Sequence, residues 1–322
     1  MTIENVVNAI SKAKNIAIIG HIMPDGDAIG SCLALYYSIK RLSKKASLYC
    51  TDKVPQILNF LKDVDRFKNE IEPNTSYDLT IAVDCSDINR LGSFKELFLN
   101  SPLTIAIDHH SSNTGFADIN LVDTNAAATG EIVYGLIEKL SLEIDTDTAK
   151  ALYTAISTDT GHFSFSNTST ETFTIAADLS RHGLDLEYIS RKLYRVKSIE
   201  RIKLLSRALN SLTMYANNKI AMLTITQRDM LETKAMPSDT ENIINYAKEI
   251  EGVVLAILIK EINDTSVKIS LRTSEELDAS ELASYFGGGG HKRAAGASIN
   301  KPLKAVKGIL IDKAMSLIKE LD

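Results

Sequence analysis

Cysteine is scarce in this sequence. Only Cys32, Cys50 and Cys85 are present, scattered and without C-x-x-C spacing. That argues against a disulfide framework and a zinc–thiolate site, and it points to a reducing compartment, the cytoplasm. No apolar run approaches the eighteen or so residues that a membrane span needs, and MTIENVVNAISKAKN lacks a signal-peptide core, so no membrane partner is expected. Internal repeats and low-complexity tracts are missing too. Positive charge is also short, with 36 Lys and Arg against 41 Asp and Glu and a net charge of −5. Proteins that track long nucleic acid usually carry a basic face, so that class is disfavoured. A short anionic substrate gripped around a metal remains open.

The chain has 322 residues, 44% hydrophobic and 24% charged. These are globular proportions, and the length suits two domains. Short apolar runs alternate with helical patterns through the first half: 15–20, 28–42, 46–50, 55–62, 78–84 and 103–107, then helices near 126–140 and 145–157. Such alternation predicts an α/β domain, a parallel sheet of about five strands with helices on both faces. In sheets of this kind ligands bind outside the carboxyl ends of the strands. Later, 219–226, 253–260 and 267–273 read as strands, the last two joined by a tight turn at Asn263 and Asp264, with helical patterns near 239–250, 278–285 and 302–320. A smaller mixed α+β domain fits. The expected division is a metal-binding catalytic domain over 1–188, a helical connector over 189–210 and a substrate-binding domain over 211–322. The connector holds the one basic cluster, RKLYRVKSIERIKLLSR (191–207). It reads as a solvated helix, or else as one that draws anions into a cleft.

The chemistry concentrates where the predicted strands end. HIMPDGDAIGS places His21, Asp25 and Asp27 on one strand-to-helix turn; Asp84 ends LTIAVD; Asp108, His109 and His110 end LTIAIDHH; Asp159 follows ALYTAIST. Taken alone, each has an ordinary explanation. An aspartate after a strand is usually a turn or helix cap, Asp25 in PDG included, and a lone histidine is usually structural. Those explanations weaken because they must hold at four places at once. Carboxylates with imidazoles suit a pair of divalent cations, and two ions roughly 3.5–4 Å apart can clamp a phosphoryl displacement. His21 and Asp25 would serve one ion, Asp27, His109 and Asp159 the other, with Asp84 between them. Asp108 is better placed to accept an imidazole N–H and fix that ring, which leaves His110 to face the leaving group. His162, in TDTGHF, is either structural or a substrate contact.

Phe286-Gly287-Gly288-Gly289-Gly290-His291-Lys292-Arg293 is the second informative stretch. Backbone N–H groups of Gly288, Gly289 and Gly290 would converge on a phosphate, with His291 and Arg293 as added donors. The plain alternative is a flexible loop. Arg272, on a predicted strand, is a candidate partner for phosphate or base. Arg90, in DCSDINRLG, would reach the same phosphate, or else is a surface or capping arginine.

HIMPDGDAIGS, VDCSD, DHH and STDTG resemble the four ordered motifs of the DHH phosphoesterases, and GGGGHKRAAG resembles the hallmark of the DHH-associated domain that one branch carries. The resemblance runs from about residue 15 to 320. It implies two Mn²⁺ ions, with Mg²⁺ or Co²⁺ as alternatives, held by His21, Asp25 and Asp84 on one side and by Asp27, Asp84, His109 and Asp159 on the other. It also implies a second domain that closes over substrate, with His291 and Arg272 holding phosphate and base. The implied partners are short RNA oligonucleotides and phosphorylated nucleotides, cut to mononucleotides or, for 3′-phosphoadenosine 5′-phosphate (pAp), to AMP; a homodimer is left open. The rival readings are a phosphodiesterase of the same fold acting on cyclic di-AMP or pApA, and a nucleotide-binding sensor without turnover.

Overall fold

The computed structural model describes residues 2–71 and 75–319, which divide into two units between Val196 and Lys197. In the first, α1 (Ile3–Lys12) leads into β1 (Asn15–Gly20), α2 (Gly26–Arg41), β2 (Lys45–Tyr49), β3 (Phe67–Lys68) and β4 (Leu79–Val83). Then come α3 (Lys95–Leu99), β5 (Thr104–Asp108), β6 (Ile119–Val122), α4 (Thr129–Lys139), α5 (Thr146–Asp159), α6 (Thr170–Ser180) and α7 (Leu186–Ser190). The sheet runs β3-β2-β1-β4-β5-β6 and every pairing is parallel. Its six strands exceed the expected five or so because β3 and β6 carry no periodic signal. One is two residues long, and the other is half-buried along its whole length.

Side chains alternate across the sheet as the pleat requires. Ile16 and Ile18 of β1 join the large core built with α1, α2, α4 and α5, while Ala17 and Ile19 face a smaller cluster with Tyr49, Phe94 and Phe98. That second face is covered by α3 and a 3-10 stretch, Ile88–Phe94, rather than by long helices. Helix α5 lies very close to α2. A Cβ at Gly30 would stand 2.4 Å from the Ala151 carbonyl oxygen, and one at Gly26 would stand 2.4 Å from the Thr158 hydroxyl. Glycine at both positions therefore lets the last turn of α5, which ends in Asp159, come against the first turn of α2.

The second unit begins with α8 (Ile199–Asn210), β7 (Thr213–Tyr215), β8 (Ile220–Ile225), α9 (Gln227–Thr233), α10 (Ile243–Lys248), β9 (Leu255–Asn263) and β10 (Ser266–Thr273). It ends with α11 (Ala279–Tyr285), β11 (Gly289–His291), β12 (Ala294–Ile299) and α12 (Leu303–Lys319). Its sheet is mixed, in the order β11-β12-β10-β9-β8-β7, and only β8 and β9 run parallel. One face packs on α11 and α12, and part of the other packs on α8 and α10. In the basic stretch, Arg201 is spent on the carbonyls of Ser238, Asp239 and Glu241, and Arg207 on Asp229 and Glu232. No helix among the described residues is long and apolar enough to cross a membrane.

Candidate metal centre

Strands β1, β4 and β5 end in one row, with Gly20 opposite Val83 and Val83 opposite Ile107. The strand order reverses between β1 and β4, and crevices form at such switch points. The residues that follow are His21, Asp84 and Asp108. Asp84 has φ +58°, a left-handed backbone that aspartate tolerates, and its N–H donates to the Ile107 carbonyl at 2.9 Å.

Three donor groups form around Asp84. His21, Asp25 and Asp84 are one; Asp84, His109 and His110 another; Asp27, His109 and Asp159 the third, with ligand atoms in each group within 4.8 Å of one another. Nε2 of His21 stands 3.4 Å from Asp84 and 3.8 Å from Asp25. Nε2 of His109 stands 3.3 Å from Asp159, 3.8 Å from Asp84 and 3.9 Å from Asp27. Its Nδ1 faces the Ala126 carbonyl at 3.3 Å, which sets the tautomer that turns the Nε2 lone pair inward. Seven residues from four segments of the chain thus meet in one bay.

The carboxylates are held in different ways. Asp25 caps α2, its Oδ1 accepting from the N–H groups of Asp27 and Ala28, both at 3.1 Å, so the ordinary turn role is real and coexists with its place beside His21. Asp27 is fully buried. Its oxygens accept from Ser31 Oγ (2.9 Å) and from the Thr129 and Gly130 N–H groups at the start of α4 (2.7 and 2.9 Å). Thr129 also donates its hydroxyl to Asp84 at 2.8 Å. Asp159 closes α5 at its C-terminal end, where the helix dipole disfavours a negative charge.

Ionisation reflects this crowding. Burial, with Asp84 and Asp25 nearby, outweighs the pull of His109 and lifts Asp159 to about 6. Burial and the charges of Asp84, Asp159 and Asp25 push Asp27 well above the ordinary carboxylate range. Burial pushes Asp25 the same way, but His21 and two backbone N–H groups hold it low. Burial lowers the His21 imidazole, yet Asp25 and Asp84 more than offset that and carry it up to about 10. Buried carboxylates crowded this closely need compensating positive charge, and an imidazole–carboxylate set without thiolate suits divalent cations.

Asp108 stands apart from the donor groups. Its Oδ1 lies 2.7 Å from His110 Nδ1 and its Oδ2 accepts from Asn113 at 2.7 Å. Arg90 lies beside the bay, its Nη2 2.8 Å from His21 Nδ1, an atom also 2.7 Å from the Ile22 carbonyl. His162 packs against Tyr194 with ring centroids 4.6 Å apart and the planes tilted by 38°, and it faces Ser157. Thr129, Ser31 and Asn113 escaped the sequence reading. Only the Thr129-Gly130 pair at a helix start offered a signal, because anions favour such ends.

The glycine run corrects an expectation. Gly287 and Gly288 do not turn their N–H groups toward an open cradle; they donate to Ser284 and Ala283 and close α11, while Gly289 and Gly290 form β11 and pair with β12. Helix α11 needs a C-terminal cap and β12 needs an edge partner, and one flexible run supplies both. Lys292 and Arg293 make the hairpin turn, where Arg293 donates to the carbonyls of Ser274 and Leu277. His291 and Arg272 both lie opposite Ala294, on the same face of the sheet with only a methyl group between them. Arg272 is half-buried, and no carboxylate among the described residues pairs with it.

The family model described as DHH family, N-terminal domain, matches residues 15–156, and that of the DHHA1 domain matches residues 213–321. A bifunctional oligoribonuclease and PAP phosphatase, NrnA, from Thermus thermophilus is 31% identical over 95% of this chain and 88% of that protein. The chain belongs to the DHH family. The NrnA of Bacillus subtilis is 24% identical, over 91% of this chain and 92% of its own. An exopolyphosphatase-related protein from Bacteroides fragilis superposes with a TM-score of 0.92 at 25% identity, covering 99% and 96% of the two chains. As a DHH phosphoesterase, this chain carries its donor bay inside the matched N-terminal segment or just beyond it, at Asp159.

Proposed function

We propose that this chain cleaves short oligoribonucleotides to mononucleotides and removes the 3′-phosphate of pAp, using two divalent cations, Mn²⁺ first among them, in the cytoplasm. One observation carries the reading: Asp84 and His109 each belong to two of the three donor groups, so the bay is continuous, which supports a pair of ions sharing these ligands. His21, Asp25 and Asp84 would hold one, and Asp27, Asp84, His109 and Asp159 the other. Bound there, the ions would lower the pKa of water and neutralise charge on the phosphoryl oxygens.

The protein's own groups do the rest. Asp108, itself fixed by Asn113, holds the His110 ring and raises its proton affinity, which favours His110 as a proton donor to a leaving oxygen. Thr129 and the start of α4 steady Asp84 and Asp27 against their mutual repulsion. On the second unit, the guanidinium of Arg272, which no carboxylate among the described residues pairs, and the exposed His291 form a candidate anion-binding face, which supports a phosphorylated substrate of limited length. The domain division of this proposal remains 1–188, 189–210 and 211–322. The decisive assay offers pAp, pApA, RNAs of graded length, cyclic di-AMP and pyrophosphate to the Mn²⁺-loaded protein. Fastest turnover of dinucleotides and pAp is expected, while preference for pyrophosphate would overturn the substrate class.

A further inference from the structure

Phe165 is 58% exposed, although it follows the metal centre closely in the chain. Single exposed apolar residues are ordinary on protein surfaces. What distinguishes this one is the backbone that presents it. Gly161, His162 and Phe163 are all left-handed, with φ of +55°, +60° and +62°. Two consecutive non-glycine residues in that region are costly, and such strain survives only where the surroundings impose it. Here they do: the Phe163 N–H donates to Thr160 Oγ1 at 3.1 Å, His162 is pinned against Tyr194, and the Asn167 amide bridges the carbonyls of Ala127 (3.0 Å) and Asp159 (3.1 Å).

The same loop seats the ring. A Cβ at Gly161 would stand 2.4 Å from Cε1 and Cζ of Phe165, so one side of the ring rests on bare glycine backbone two residues past Asp159. Phe173, equally exposed, already stacks on Phe163 with centroids 5.6 Å apart, whereas no aromatic ring among the described residues partners Phe165. A ring without an aromatic partner among the described residues, seated on the loop that follows Asp159, matches what single-stranded nucleic-acid sites use: a π-face on which a base lies while its phosphate is gripped elsewhere.

We propose that Phe165 is a stacking platform for a nucleobase of the substrate, a positioning contact that favours nucleotides over simple phosphoesters. The inference rests on the nucleotide reading given above. The chain contains no tryptophan, so Phe165→Trp installs a single tryptophan at the platform, excitable apart from the tyrosines. Titrating AMP into the Mg²⁺-loaded F165W protein should quench it saturably, and ribose 5-phosphate should not; equal responses to the two, or none, would overturn the proposal. In parallel, F165A should lower kcat/KM for diadenylate roughly 5- to 150-fold, mainly through KM, with F165W near wild type. An analogue of the dinucleotide lacking its bases should be cleaved equally by F165A and wild type, which also certifies an intact metal centre. Unchanged diadenylate kinetics, an equal loss on the base-free analogue, or a changed oligomeric state in their place would sink the platform. If wild type cleaved neither diadenylate nor pAp while AMP still quenched F165W, the functional reading would fail and the base site would stand.

Discussion

Asp108 Oδ1 lies 2.7 Å from His110 Nδ1, while Asp108 itself is fully buried and held by Asn113 from the other side. The carboxylate thus fixes one ring nitrogen of His110 and leaves Nε2 for chemistry. Burial raises the Asp108 carboxyl, but His110 and Asn113 outweigh it and keep it below the ordinary range, so it stays an acceptor. Asp108→Asn replaces that acceptor with an amide of the same shape. The expected loss is in kcat, roughly 10²- to 10⁴-fold, with Mn²⁺ affinity little changed. Steady-state kinetics beside a metal titration would check it; a normal kcat would remove His110 and Asp108 from catalysis.

Asp84 joins two donor groups, so no other single carboxylate among the described residues touches as much of the bay. Asp84→Ala should abolish metal-dependent turnover and weaken the binding of both ions. Near-normal Mn²⁺-dependent activity in that variant would mean the ligands have been wrongly assigned. Thr129→Val, which deletes the hydroxyl donated to Asp84, should cost far less.

Much of this bay was legible in the sequence because strand ends are. Apolar runs stop at Gly20, Val83 and Ile107, and the next residue in each case is a candidate ligand or its support. Asp159 was harder to place, since its position depends on α5 pressing against Gly26 and Gly30, a packing fact with no local signature. The glycine run reads as a phosphate-binding loop and glycine is a poor strand former, yet β12 recruits it as a partner. Arg90 could not have been anticipated, because its contact with His21 spans 69 residues.

The glycine hairpin gives a sharp contrast between neighbours. A Cβ at Gly288 would stand 2.1 Å from the Gly296 carbonyl oxygen, whereas one at Gly289 meets nothing within 4 Å. Gly288→Ala should therefore destabilise the second unit by about 1–3 kcal/mol, and Gly289→Ala by well under that. Urea unfolding of the two variants is the measurement. Equal stabilities would show that the hairpin yields freely.

Without metal, stability should fall as pH rises. His21 in the folded protein holds its proton to about 10 against an ordinary 6.5, so its contribution is full below pH 6.5 and is lost as pH climbs through 10. Asp159, raised from 3.8 to about 6, acts in the same direction at lower pH, because the folded state again binds more protons. Divalent ions displace these protons, so their stabilising effect should grow with pH. Melting temperatures between pH 6.5 and 9 would show it, with His21→Gln flattening the metal-free slope. A metal-free slope identical in wild type and His21→Gln would remove His21 from the account.

Arg90 and the Ile22 carbonyl compete for one atom. His21 Nδ1 lies 2.8 Å from the guanidinium and 2.7 Å from the carbonyl, and a ring nitrogen cannot accept from one while donating to the other. Whether the ring is protonated on both nitrogens without metal or binds a cation through Nε2, Nδ1 carries the proton, the carbonyl is its acceptor, and the guanidinium faces a donor. Arg90 should therefore leave the ring readily for an anion that enters the bay. Arg90→Ala should leave Mn²⁺ affinity equal or tighter, because a positive neighbour of the ligand is gone, while KM for pAp rises roughly tenfold, the scale of one charge-assisted hydrogen bond. Calorimetric Mn²⁺ titration and pAp kinetics on the same preparation separate the two effects. Loss of metal affinity with KM unchanged would make Arg90 a support for His21 and nothing more.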